Sequence, residues 1–331
     1  MSVFKNEEVF NGEVDVKYLF QKSYTKTDGL VIVFSAFQAE GKPANYNYVR
    51  TLEEFDCNKL YILDDFGEAP SYYLCNSREF SIERSVIALI RKIVKENEIS
   101  KIISSGSSKG GFAALYYGIK YGFDHVISAS PQYLLGDYLL EQAEAKQVGK
   151  KVVEFISGGT EAEDHEYLNN IMASMIRETK NNPDIFIHLG VGEHHYRNHV
   201  IPMIKLFDEI GIAYELNLGS YDKHSDVLIH FPPLLKEKIR ELLKFPLISL
   251  EQINREENKQ DTLYEFKVTT EMKNKVAWYV YKDNKIIDKF GYAKNKTIKL
   301  SFKEKGKYMV KVFVKNEGNL KVSTITNSIT V

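Results

Sequence analysis

The segment Lys101–Gly118, KIISSGSSKGGFAALYYG, leaves the chain little freedom in how it can fold. A short β-branched run enters Gly106-Ser107-Ser108-Lys109-Gly110, and a small-residue helix pattern leaves it from about Gly111. A G-x-S-x-G pentad between a strand and a helix puts its central serine on a sharp turn with strained backbone angles. The positions two places to either side must then be glycine-sized to avoid clashes. Gly106 and Gly110 meet that demand around Ser108, which is therefore the candidate nucleophile, and Ser107 is expected to point into the packing around the sheet. A phosphate-binding loop is the competing turn. Its G-x-x-x-x-G-K-[ST] spacing does not occur, because Lys109 is followed by Gly110-Gly111.

The flanks supply the context that such an elbow needs. Up to about Leu247, strand-like runs at Gly29–Ala36, Lys59–Asp64, Lys101–Ser105, His125–Ser130, Asp184–Gly190 and Ile212–Leu218 alternate with helical patterns. Several of these runs are nearly continuous in apolar residues, as strands covered on both faces should be. Among the helices, Ile82–Asn97 repeats Ile82, Val86, Leu89, Ile90, Ile93 and Val94 at helical spacing behind Ser81, an expected N-cap. Alternating strand and helix implies an α/β domain with a mostly parallel sheet. No apolar run approaches the ~20 residues of a membrane span; Leu30–Phe34 is only strand length. The start, MSVFKNEE, is acidic where a signal peptide would be basic and then apolar, so cytoplasm is the expected compartment. Cys57 and Cys75 lack CxxC partners and read as reduced packing residues.

After Pro246 the pattern changes. The polar stretch 249–261 reads as a linker between a domain over 1–248 and a second over 262–331. In the latter, Phe266/Val268, Val276/Trp278/Val280, Ile298/Leu300/Phe302 and Tyr308/Val310/Val312/Val314 alternate with polar residues. With turns at Asp283-Asn284, Lys305-Gly306 and Glu317-Gly318-Asn319, this predicts a small all-β sandwich. Charge shifts at the same place. Thr262–Val331 holds 15 Lys, no Arg and 6 carboxylates, a net of +9, which leaves −10 for the first 261 residues of a chain whose total is −1.

In elbow hydrolases the acid and the histidine follow the serine in chain order, each after a late strand. Glu193 follows Asp184–Gly190 and His224 follows Ile212–Leu218, and they are the candidate orienter and base. A polar loop could also hold His224 without catalytic purpose, and Asp222 or Asp226 could replace Glu193 if their loop doubled back. Asp184 lies at the wrong end of its strand, and Asp208 falls within a helix. An oxyanion hole needs two backbone N–H donors, from Lys109 after the nucleophile and from Phe37 or Gln38 after the first strand. His195 and His199 at i, i+4 invite a metal reading, but no third ligand and no HExxH pattern accompany them. They are expected to line the pocket or cap the next helix, with no metal and no cofactor. Asp64-Asp65 could hold a cation; a solvated turn is the expectation.

Three phrases carry a resemblance: Leu63-Asp-Asp-Phe-Gly67 with Ser71-Tyr-Tyr-Leu74, Gly106-Ser-Ser-Lys-Gly-Gly111, and Ser130-Pro-Gln-Tyr-Leu-Leu-Gly-Asp-Tyr138. From Gly29 to about Pro233 the chain resembles the α/β-hydrolase core of accessory-secretion acyltransferase-like proteins of Gram-positive bacteria, with related cores in capsule biosynthesis. The resemblance implies Ser108, Glu193 and His224 as a triad and O-acetyl ester chemistry on carbohydrates or glycoconjugates. The second domain is similar to the three-tyrosine domain of two-component regulators, through Tyr279, Tyr281, Tyr292 and Tyr308, although no receiver, kinase or helix-turn-helix segment accompanies it. The expected activity is that of a serine esterase or O-acyltransferase. The alternative is a catalytically silent hydrolase fold that binds or scaffolds in secretion or capsule assembly. The basic second domain could hold an anionic glycan or an acidic protein, or its lysines could simply block edge pairing. Nucleic acid is not expected, since the segment lacks arginine and a binding motif.

Overall fold

The computed structural model describes residues 4–37, 42–142, 146–257 and 261–331. Two compact units emerge: one holds most of the chain up to Leu235, and the other holds Lys236–Val331 with the short stretches Tyr24–Lys26 and Arg50–Asp56.

The first unit is built on one sheet of β1 (Glu8–Asn11), β2 (Asp15–Gln21), β3 (Gly29–Phe34), β4 (Asn58–Ile62), β5 (Lys101–Ser107), β6 (His125–Ala129), β7 (Asp184–Gly190) and β8 (Tyr214–Gly219). Its order is β1-β2-β4-β3-β5-β6-β7-β8. From β4 through β8 every pairing is parallel, and only β1 and β2 run antiparallel at one edge. Every residue of β3 and β4 is buried, which is why these runs lack alternation. The helices α1 (Ser81–Glu96), α2 (Lys109–Tyr121), α3 (Leu135–Asp137), α4 (Lys146–Ser157), α5 (Ala162–Glu178), α6 (Ile201–Ile210) and α7 (Val227–Leu242) follow in chain order. In register, Ser105 of β5 lies between Val33 of β3 and Ile127 of β6. The carboxyl ends of these parallel strands therefore lie along one edge of the sheet, where open α/β sheets build their sites.

Two expectations change and two strands are added. Ser81 is not an N-cap: it is the first helical residue, Phe80 precedes it without a side-chain cap, and the Glu79 carboxylate accepts the Ser81 N–H at 2.9 Å. The strands β1 and β2 were not expected: Glu8–Asn11 is a four-residue edge strand with mostly exposed side chains, and Asp15–Gln21 carries a buried Val16-x-Tyr18-Leu19 pattern that was missed in the sequence. The polar stretch 249–261 is not a linker throughout. Ser249–Glu257 forms β9, antiparallel to β10 (Thr262–Thr269), with Leu250 opposite Val268. Its side chains are nearly all exposed, so backbone pairing rather than burial holds it and its composition imitates a linker.

In the second unit, β13 (Thr297–Phe302), β10 and β9 form one antiparallel sheet. The other contains β11 (Lys275–Lys282), β12 (Lys285–Ala293), β14 (Lys307–Lys315) and β15 (Lys321–Ile325), with β16 (Ile329–Thr330) paired to β14. The period-two residues Val276, Trp278, Val280, Tyr308, Val310, Val312 and Val314 are buried. Phe302 and Tyr308 stack at 4.1 Å between ring centroids, joining the two sheets. Asp283 and Asn284 both have positive φ, 48° and 64°, as a two-residue hairpin turn requires. Outward-facing lysines lie over aromatic rings: Lys289 over Tyr279, Lys311 over Phe313 and Lys315 over Tyr292. Among the described residues, no helix is long and apolar enough to cross a membrane.

Candidate active site

Ser108 sits between the end of β5 and the start of α2 with φ 54° and ψ −120°, a backbone region that side chains rarely occupy. The neighbours show why only glycine serves beside it. A Cβ on Gly106 would lie 2.3 Å from the backbone of Gly110, and one on Gly110 would lie 2.3 Å from the Phe34 carbonyl oxygen. The turn is pinned by the Ser108 N–H, which donates to the Ala129 carbonyl at 2.8 Å. Ser107 is buried and its Oγ accepts from Tyr48 Oη at 2.6 Å, so it faces packing. Ser108 retains 7% exposure.

Glu193 and His224 reach the same point from the ends of β7 and β8. His224 Nε2 is 3.1 Å from Ser108 Oγ, and His224 Nδ1 is 2.8 Å from Glu193 Oε2. The other carboxylate oxygen of Glu193 accepts from the Gly190 N–H at 2.8 Å and from Ser130 Oγ at 2.9 Å. Burial by itself would raise this carboxyl. The hydrogen bonds from His224, Gly190 and Ser130 outweigh it and hold Glu193 below the usual carboxylate range. The carboxylate at His224 Nδ1 is thus Glu193 and neither Asp222 nor Asp226.

Lys109 opens α2, where backbone N–H groups have no intrahelical partner. In the loop after β3, the Ser35 N–H donates to Tyr73 Oη and the Ala36 N–H to Asn47 Oδ1, which leaves Phe37, half-buried, as the next donor along the chain. Gln38 lies outside the described residues. Asp64 is not on a solvated turn: it is 5% exposed and accepts from Lys109 Nζ at 2.6 Å, from Ser71 N–H and Oγ, and from the Tyr72 N–H. Asp65 is exposed and pairs with Lys17.

His195 and His199 do not converge on a common point for a metal. His199 Nδ1 accepts from the Leu134 N–H at 3.2 Å, and burial pushes its ring down to about 4. His195 is fully buried, stacks on His224 at 4.1 Å with 11° between planes, and offers no side-chain cap to the following helix. Glu193, His195 and His224 do place ligand atoms within 4.8 Å of one another, although the shortest of those contacts is already the His224–Glu193 hydrogen bond.

Two contributors were missed. Ser130 and Gln132 flank Pro131 directly after β6, and Gln132 Nε2 lies 2.9 Å from Ser108 Oγ. The available signal was positional: a Ser-Pro-Gln turn at the carboxyl end of the strand beside β5 must open onto the same edge as Ser108.

No protein-family model matches the chain, and no curated protein matches it in sequence. Solved structures match over about seven-tenths of the chain. The capsule O-acetyltransferase of Neisseria meningitidis serogroup A is 22% identical over 71% of this chain and 94% of its own, with a TM-score of 0.59. A glycosylation-associated protein complex of Streptococcus agalactiae, Gap123, is 18% identical over 72% of this chain and 47% of that one, with a TM-score of 0.61. A fluorophosphonate-binding serine hydrolase of Staphylococcus aureus is 15% identical over 70% and 92%, with a TM-score of 0.50. The fold is that of the α/β-hydrolases. On that α/β-hydrolase core the serine, histidine and glutamate stand at the strand ends where the fold builds its sites.

Proposed function

We propose that this chain is a serine esterase or O-acyltransferase that carries an acyl group, most simply acetyl, on Ser108. The observation that carries this reading is the unbroken relay from Ser108 Oγ through His224 to Glu193, at 3.1 and 2.8 Å, on an elbow whose serine is strained and keeps 7% exposure. Ser108 Oγ attacks the ester or thioester carbonyl while His224 Nε2 takes its proton. Glu193 Oε2, held ionised, accepts from His224 Nδ1 and stabilises the imidazolium. The N–H groups of Lys109 and Phe37 receive the oxyanion. The proton on His224 then goes to the leaving group, and an incoming hydroxyl, of water or of a sugar, repeats the sequence against the acyl-enzyme.

Support for acyl chemistry on carbohydrate comes from the neighbours that share the fold, a capsule O-acetyltransferase and serine hydrolases, together with the phrase-level resemblance described above. One of those acetyltransferase structures was solved with CoA, which makes an acetyl thioester the donor to try first. In this reading the second unit is a three-tyrosine-like β domain whose lysine-rich face attracts an anionic glycan or acidic protein, and the protein works in the cytoplasm. The test is intact-mass measurement after exposure to a fluorophosphonate and to acetyl donors. A single adduct or acetyl group on the wild type, absent from Ser108→Ala, is the expected result. An unlabelled wild type would leave the scaffolding alternative standing.

A further inference from the structure

Among the described residues two side chains lie within hydrogen-bond distance of Ser108 Oγ, and one of them belongs to the relay. His224 Nε2 lies 3.1 Å away, and Gln132 Nε2 lies 2.9 Å away. Gln132 is fully buried, so its amide reaches Oγ from the protein interior and leaves the exposed side of Ser108 to substrate. The same amide nitrogen lies 3.1 Å from His195 Nε2. One NH2 group therefore spans the serine and a second histidine, while Gln132 Oε1 has no hydrogen-bond partner among the described residues.

His195 explains why nitrogen rather than oxygen faces the serine. With the Gln132 NH2 as the donor, His195 Nε2 accepts and the ring proton sits on Nδ1, which has no hydrogen-bond partner among the described residues and lies 3.9 Å from Glu193 Oε2. Burial, with His224, His194 and His199 close by, keeps the His195 ring neutral and that lone pair available. An amide oxygen in this place would meet the lone pair head on.

Resting on the reading of Ser108 as nucleophile, we infer that Gln132 is a catalytic residue of the second half-reaction, donating a hydrogen bond to Ser108 Oγ as the acyl group leaves it, and that His195 is the positioning residue that aims the amide. In the first half-reaction the C–Oγ bond forms, the O–H bond breaks and its proton goes to His224. Oγ starts this step as a hydroxyl that already accepts from the amide, so the donor gains little in the transition state. In the second half-reaction the acceptor oxygen bonds to the acyl carbon and its proton goes to His224. The C–Oγ bond then breaks with its electron pair returning to Oγ, which takes the proton from His224. Here Oγ starts as an ester oxygen, a weak acceptor, and gains charge as the bond breaks, so a fixed N–H aimed there is stronger in the transition state than in the acyl-enzyme. Gln132 thereby favours discharge of the acyl-enzyme over its formation.

The experiment is stopped-flow hydrolysis of p-nitrophenyl acetate by the full chain, with active sites counted by fluorophosphonate labelling so that only folded enzyme enters the result. Gln132→Met, which keeps the volume and removes the donor, should slow discharge by about tenfold to hundredfold, the range expected for a hydrogen bond to a charge-bearing atom. The nitrophenolate burst should persist or sharpen, and kcat and KM should fall together with kcat/KM nearly unchanged. His195→Phe should shift the same ratio in the same direction by less, and Gln132→Asn, with the donor drawn back, should lie between. Equal losses in burst rate and steady-state rate in Gln132→Met would overturn the inference, as would unchanged discharge. Failure of wild-type Ser108 to label at all would instead remove the underlying reading, so the two failures are distinct.

Discussion

The Lys109 ammonium and the Asp64 carboxylate meet at 2.6 Å with both side chains buried, and the same Lys109 supplies the backbone N–H next to Ser108. Burial works to lower the Lys109 pKa, and Asp64 opposes it. Asp64 also accepts from Ser71 and Tyr72, where Tyr72 and Tyr73 take positive φ of 55° and 59°. One carboxylate thus ties that strained loop to the elbow. Removing one partner of a buried pair strands the other charge, so Asp64→Ala should cost about 3–5 kcal/mol in denaturant unfolding. The double variant Asp64→Ala/Lys109→Met should recover part of that loss, because no charge is left buried alone. A double variant no more stable than Asp64→Ala would show that the pair is not what holds the loop.

The elbow glycines make a sharper test of backbone geometry. A Cβ on Gly106 or Gly110 meets backbone at 2.3 Å, which no rotamer change can relieve. Gly106→Ala and Gly110→Ala should each lose more than about 3 kcal/mol or fail to fold, in the range of overpacking and backbone strain. Gly291, in β12 with nothing within 4 Å of its Cβ position, is the control. Gly291→Ala should be neutral or stabilising by about 0.5–1 kcal/mol. Thermal melts of the three variants check this ordering.

The legibility of this chain follows from which interactions leave a local trace. The elbow was readable because its demand for glycine falls on residues two places apart, and β3 and β4 were readable because double-faced burial makes an uninterrupted apolar run. That Glu193 and His224 would come together near Ser108 was expected from chain order after β7 and β8, with Asp222 and Asp226 left open until the geometry separated them. Asp64 was misplaced because its partner is 45 residues away and an Asp-Asp pair after a strand resembles a solvated turn. Gln132 and Ser130 were invisible as site residues for a related reason: their partners, Ser108 and Glu193, lie 24 and 63 positions distant and no spacing rule connects them. The strand β9 escaped because edge pairing places no demand on side chains.

Glu193 makes stability depend on acid. Its folded pKa is held below its ordinary value of 4.5. A carboxyl of that kind contributes stability that is fully present above the unfolded value and is lost as pH falls through the folded one. Wild type should therefore lose stability relative to Glu193→Gln as pH falls from 4.5 toward the lower folded value. Urea unfolding at a series of pH values checks the sign. A gap that widens on acidification would mean that the carboxyl is destabilised by its burial after all.

In the proposed triad, the variants should rank by role. Ser108→Ala and His224→Ala should each lower esterase kcat by about three orders of magnitude or more. Glu193→Gln should lose about as much through the wrong histidine tautomer while keeping its melting temperature near neutral pH within a few degrees. Ser107→Ala, which loses the hydrogen bond from Tyr48, should retain most activity. Loss in Ser107→Ala with retention in Ser108→Ala would place the nucleophile one residue earlier.

The second unit is tested by its outward lysines rather than by truncation. Cutting before Thr262 would strip β9 of its partner β10, so a deletion confounds folding with recognition. Lys289, Lys311 and Lys315 instead lie over Tyr279, Phe313 and Tyr292, where exchange to Glu changes charge without opening the buried row of Val310, Val312 and Val314. If this face attracts an anionic polymer, the triple exchange should weaken binding to heparin or polyglutamate at least tenfold at low ionic strength. Wild-type binding should itself fall steeply between 0.05 and 0.5 M salt, since the Debye length drops to a few ångströms there. Turnover of p-nitrophenyl acetate should stay within about twofold, because the reacting groups come from the other unit. Equal binding by wild type and the triple variant at all salt concentrations would leave these lysines the role of keeping exposed strands from pairing with other chains.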